Sequence, residues 1–181
     1  PFGLIEAFHM VQEEHPDTHL VLAGIQEADD TPEAGRVFEE GKEMVGENEN
    51  ITLFMYADEL GLKNSQAIAE FTMMLQNAAD LVIQNSTKEG FGLTIAEAMW
   101  KEKPVIGGPA SGVRRQIRHG MNGFIAAGAG ELASDIAMII EDENKRTEFA
   151  KAGKETVTNN FLMHRLLLDY MRVLYRLSQG M

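Results

Sequence analysis

Apolar positions along the chain switch repeatedly between two spacings, and the switching predicts alternating helices and strands. From Phe2 to Glu14 they recur at helical intervals, at Leu4, Ile5, Phe8 and Val11. His19 to Ala23 is a short continuous apolar run closed by Gly24, which predicts a strand. Thr31-Pro32-Glu33 predicts a helix start, with Thr31 as N-cap and Pro32 at the first helical position, running to about Gly46. Further strands are predicted over Ile51 to Phe54, Leu81 to Gln84, Pro104 to Gly107 and Gly123 to Ala126. Gln66 to Ala78 and Leu93 to Lys101 read as the intervening helices. Glu131 to Ile140, Lys145 to Thr158 and Met163 to Leu177 are predicted to close the chain as three more.

Strands that alternate with helices and read as unbroken apolar runs are buried on both faces. The predicted fold class is therefore α/β: a Rossmann-like open parallel sheet with helices on both faces, over one domain spanning residues 1–181. In such sheets ligands sit beyond the carboxyl ends of the strands. The loops after Gly24, Phe54, Gln84 and Gly107 are the places to look for chemistry.

Composition narrows the choice. The 181 residues are 44% hydrophobic and 24% charged, which suits a globular domain rather than a disordered segment. No apolar run approaches the roughly 20 residues that span a bilayer, and no signal-peptide pattern opens the chain. There is no cysteine, which excludes disulfides, zinc–thiolate sites and thiol catalysis and suits a cytoplasmic location. The net charge of −12 argues against nucleic acid and anionic membrane as partners. Any phosphate must be held by backbone N–H groups and a few local cations against that global field.

The loop after Gln84 is the richest in chemistry: Asn85-Ser86-Thr87-Lys88-Glu89-Gly90-Phe91-Gly92-Leu93-Thr94. A strand enters it and a helix leaves it. Gly90 and Gly92 permit a close backbone approach to a ligand. The helix start near Leu93 and Thr94 offers free N–H groups and a positive dipole end, a natural place for a diphosphate. Glu97, a turn further on, suits ribose hydroxyls, and Glu89 suits sugar hydroxyls. The same glycines could instead mark an ordinary turn. They match neither the dinucleotide fingerprint nor a P-loop.

Glu89-Gly-Phe-Gly-Leu-Thr-Ile-Ala-Glu97, two glutamates separated by seven residues, resembles the signature of retaining glycosyltransferases of the GT-B fold, family 4 or group 1. The resemblance continues through Glu97-Ala98-Met99-Trp100, Lys103 to Gly107, Ser111-Gly112-Val113 and Gly120 to Phe124. It also takes in Ile5 to Phe8 and Leu20 to Gly24. Within the family, Glu97 to Lys101 and Gly112 to Ile117 most resemble trehalose synthases of the glycosyl-transferring type. The resemblance implies a C-terminal, donor-binding half. Glu97 would hold the ribose and Glu89 the donor sugar, as the catalytic-site residue. Gly90, Phe91, Gly92, Leu93 and Thr94 would hold the sugar and diphosphate, Phe54, Met55 and Tyr56 would meet the base, and Gly24 would border the cleft. It implies UDP- or ADP-glucose as substrate, no metal or other cofactor, and an N-terminal acceptor domain as partner. Glucose would move to a sugar acceptor, with trehalose as the candidate product. Alternatives are a related glycogen- or sucrose-synthase-like transfer and a non-catalytic nucleotide-binding module.

Two departures stand out. Arg114 and Arg115 occupy positions where the family often has an acid, and the trehalose-synthase subgroup tolerates basic residues there. Pro1-Phe2-Gly3 resembles the end of a segment that carries a phosphate-gripping Arg and Lys, and neither is present. The expectation is an excised domain or one member of a split system, inactive by itself.

The remaining candidates favour structural roles. His9, His15, His19, His119 and His164 are scattered without metal-ligand spacing. Met73, Met74, Leu75 and Trp100 are expected in the core. Arg165, Arg172 and Arg176 share a helix and are expected to pair with acids on a solvated face.

Overall fold

A computed structural model describes residues 1–26 and 32–179. The Thr31 N-cap expectation lies outside them. The chain divides into two compact units, Pro1–Ala79 with Ala126–Asp142, and Asp80–Ile125 with Glu143–Met181.

In the first unit, α1 (Phe2–Glu14) covers the residues its periodicity predicts and buries Leu4, Ile5, Ala7, Phe8 and Val11. It packs against α6 (Ala129–Glu141), whose Leu132, Ala133, Ile136 and Ile139 are buried at the same spacing. β1 (Leu20–Gln26) and β2 (Ile51–Tyr56) run parallel, with Leu20 opposite Ile51 and Ala23 opposite Phe54. Both strands run two or more residues past their predicted ends. Gly24 does not close β1; the register shifts between Ala23 and Gln26 instead. α2 is Pro32–Val45 and α3 is Ser65–Ala78. Asn64 caps α3 by accepting from the Ala67 N–H at 2.9 Å. Met73 and Met74 are 44% and 61% exposed, so their expected core role fails. They are apolar, but they lie on the outer face of α3.

In the second unit, β3 (Val82–Gln84), β4 (Val105–Gly107) and β5 (Phe124–Ile125) form a parallel sheet in that order. β4 is central, and all three of its residues are buried. α4 (Leu93–Trp100) packs on α7 (Glu143–Asn160). The crossing is close at Gly153, where a Cβ would sit 3.0 Å from Met99 Cγ. Phe149 of α7 is fully buried, edge-on to Phe124 at 4.9 Å. Trp100 is 44% exposed rather than core. The Lys154 ammonium lies 3.8 Å over its ring and donates to its carbonyl oxygen. α5 (Ser111–Arg114) is a single turn where the sequence suggests only a glycine bend.

α8 (Met163–Ser178) has no buried residue. Arg165 and Arg172 both pair with Asp169, as expected, but among the described residues no ion pair holds Arg176. Among the described residues no helix is long and apolar enough to cross a membrane.

Candidate functional site

β3 delivers the chain into the glycine loop, and α4 carries it away. The turn between them is made by Gly92, the N-cap of α4, at φ 88 and ψ 69. This is left-handed backbone that a side chain would strain. The Gly92 carbonyl accepts from the Ile95 N–H at 3.1 Å, so the helix is properly started. No side chain caps it and no acid lies in its first turn. Among the described residues the N–H groups of Gly92, Leu93 and Thr94 meet no acceptor. Three free amides at the positive end of a helix are a physical basis for holding an anion. Lys88 in the loop and Arg114 and Arg115 at the end of α5 are exposed cations, local exceptions to the acidic whole.

Glu89 is half-buried, and both of its carboxylate oxygens are engaged. Oε2 accepts from Gln84 Nε2 at 3.0 Å, and Oε1 accepts from the Phe91 N–H at 3.3 Å. Its carbonyl accepts from the Gly112 N–H at 3.1 Å, which ties the loop to α5. Phe91 sets its ring edge-on to Phe161 at 5.4 Å. Gly90 is exposed, Leu93 is 67% exposed, Thr94 is half-buried and Glu97 is exposed on α4. The second unit therefore brings Glu89, Gly90, Phe91, Gly92, Leu93, Thr94 and Glu97 together on one loop and the helix it starts.

The other predicted residues belong to the first unit. Gly24, Phe54, Met55 and Tyr56 lie together on the carboxyl halves of β1 and β2. The Phe54 ring is edge-on to Phe71 at 5.4 Å, and the Tyr56 ring is edge-on to Phe38 at 6.0 Å. Both rings are held in packing. A Cβ on Gly24 would meet nothing within 4 Å, so the backbone there is open to approach.

Three features escape the sequence. Gln116 is 1% exposed and donates through Nε2 to the carbonyls of Phe91 and of Gly92, the latter at 3.1 Å. Gly112 presses on the loop so closely that a Cβ there would lie 2.5 Å from backbone atoms of Gly90 and Phe91. In the first unit, His15 Nε2 lies 3.2 Å from Glu141 Oε1, and Glu14 comes close enough for all three side chains to reach one metal ion. Glu14 and His15 end α1 while Glu141 ends α6, and no local spacing could reveal that approach.

The sequence model of the family "Glycosyl transferases group 1" matches residues 1–156. The trehalose synthase of Thermococcus litoralis is 32% identical over 173 residues, which cover 96% of this chain and 40% of that protein. The chain thus spans about two fifths of the length of the trehalose synthases it matches. Among solved structures, the C-terminal domain of a glycosyl transferase group 1 family protein from Francisella tularensis matches with a TM-score of 0.69. It is 25% identical, over 88% of this chain and 77% of that one. Anabaena HepE in complex with UDP matches with a TM-score of 0.74 at 25% identity, over 97% of this chain and 44% of that one.

Proposed function

The chain belongs to the group 1 glycosyl transferases, and from that premise we propose that it is the donor-binding part of a retaining enzyme that takes glucose from a nucleoside diphosphate. The single observation that carries the reading is the mouth of α4. Its three N–H groups, opened by the left-handed Gly92, lack partners among the described residues, and the first turn of their helix carries no acid. In the proposed mechanism they hold the diphosphate and stabilise its charge as it leaves, with no reorganisation at the moment of transfer. Lys88, Arg114 and Arg115 supplement them as cations. Glu89, fixed by Gln84 and the Phe91 N–H, directs its remaining lone pairs at sugar hydroxyls. Glu97 takes the ribose. The acceptor is read by a partner domain, and a glucose acceptor would yield trehalose. A UDP-bound HepE and a trehalose synthase among the relatives support the choice of donor and product.

Calorimetric titration with UDP, ADP and GDP and with their glucose conjugates tests the reading. Saturable binding of at least one conjugate, millimolar or tighter, is expected. Absence of binding by all six would refute it.

A further inference from the structure

The mouth of α4 depends on a residue outside the loop. The Gln116 side chain is almost wholly buried, and its amide nitrogen reaches the carbonyls of Phe91, of Gly92 and, at 3.5 Å, of Gly112. A carboxamide can be placed either way round. Here the acceptors decide, because carbonyl oxygens require the NH2 end. The orientation leaves Gln116 Oε1 buried and without a hydrogen-bond partner among the described residues. An orphaned buried acceptor costs stability. An apolar side chain of the same length would avoid that cost, so packing alone does not account for a glutamine at this position. The amide clamp does.

We propose that Gln116 is a positioning residue of the donor loop, acting through the peptide planes on either side of Gly92. In a trans peptide the C=O and the next N–H point in opposite directions. Drawing the Phe91 and Gly92 carbonyls onto Gln116 therefore turns the N–H groups of Gly92 and Leu93 away from it. One buried side chain fixes the direction of two of the three free amides. Gln84 does the same for the acid of the loop: its Nε2 holds Glu89 Oε2 while its own Oε1 is buried and has no partner among the described residues. Both amides converge on Gly92, where a Cβ would lie 3.0 Å from Gln84 Oε1 and 3.5 Å from Gln116 Nε2. Within this layer neighbouring side chains add to what the loop's own Gly92 and Glu89 set.

This inference rests on the donor-site reading above, and two measurements on the full chain separate them. Gln116→Met keeps the length and volume and removes the clamp. Val157→Ala trims a buried side chain of α7 elsewhere in the same unit and serves as a matched loss of stability. The first measurement, without ligand, is amide NMR and hydrogen exchange at Gly92, Leu93 and Thr94. Gln116→Met should shift or broaden these resonances and speed their exchange, while Val157→Ala should leave their positions in place. The second is affinity for UDP- or ADP-glucose, which should fall about tenfold or more in Gln116→Met and stay within about twofold in Val157→Ala, a tenfold loss being about 1.4 kcal/mol. Unchanged loop resonances in Gln116→Met overturn the proposal, as does a loosened loop with unchanged affinity. A loosened loop in Gln116→Met, together with a wild-type chain that binds no nucleotide, overturns the donor-site reading and leaves the clamp standing.

Discussion

Gly112→Ala is the sharpest perturbation available at the site. The added Cβ would lie 2.5 Å from the carbonyl carbon and oxygen of Gly90 and from the Phe91 nitrogen. All three are backbone atoms, so no side chain can swing aside. Ordinary contact begins near 3.4 Å, so the loop and α5 must part by about 0.9 Å. Overpacking of this kind costs roughly 1–3 kcal/mol. At roughly 2–4 °C per kcal/mol for a chain of this size, the midpoint of thermal unfolding should fall by roughly 2–12 °C. The effect on binding is separate and larger in proportion. A displacement of about 0.9 Å carries an N–H to phosphate contact beyond its roughly 2.7–3.2 Å optimum. Each hydrogen bond to a charged group contributes roughly 1.5–3 kcal/mol. Loss of one predicts at least about a tenfold weaker affinity for the nucleoside diphosphate sugar. Differential scanning calorimetry gives the first number and titration calorimetry the second. A variant that melts within about 1 °C of wild type and binds equally well would show that the loop does not bear on α5 in this way.

Two other outcomes follow from the same physics. Gly130→Ala adds a methyl group on the exposed first turn of α6 where nothing lies within 4 Å, so it should stabilise the chain by roughly 0.4–1 kcal/mol without altering binding; an unchanged or lower melting point would contradict this. On α8, the Arg165 and then the Arg172 guanidinium hold the Asp169 carboxyl below its usual range, against a partial counter-effect of burial. Its support for the helix is therefore complete at neutral pH and is lost only in acid, as pH falls through that lowered value. Helix content followed by circular dichroism should show an acid loss that Asp169→Asn removes.

The α/β alternation was legible because its signals are local. The unbroken apolar runs of β3 and β4 and the spacing of Leu4, Ile5, Phe8 and Val11 each sit within one element. The glycine loop and its two acids were legible for the same reason. Gln84 and Gln116 were not, because a glutamine carries no periodic signal and the clamp joins residues 25 apart. Trp100, Met73 and Met74 misled because apolar character says that a side chain favours burial, not that a neighbouring surface exists to bury it. The pairing of His15 with Glu141 depends on how α1 lies on α6, a property of packed helices rather than of either sequence.

α4 has eight residues, about 12 Å from end to end, and its two ends are treated differently. At its carboxyl end the Lys154 ammonium rests on the Trp100 carbonyl and ring, so the negative pole is answered from within the protein. At its amino end the first turn carries no acid and no side chain caps it. Neutralising one pole alone leaves the short helix acting as a partial positive charge fixed in space. An anion settling there meets a positive pole made by the peptide groups of α4, whose opposite pole is already answered by a lysine that the anion never touches.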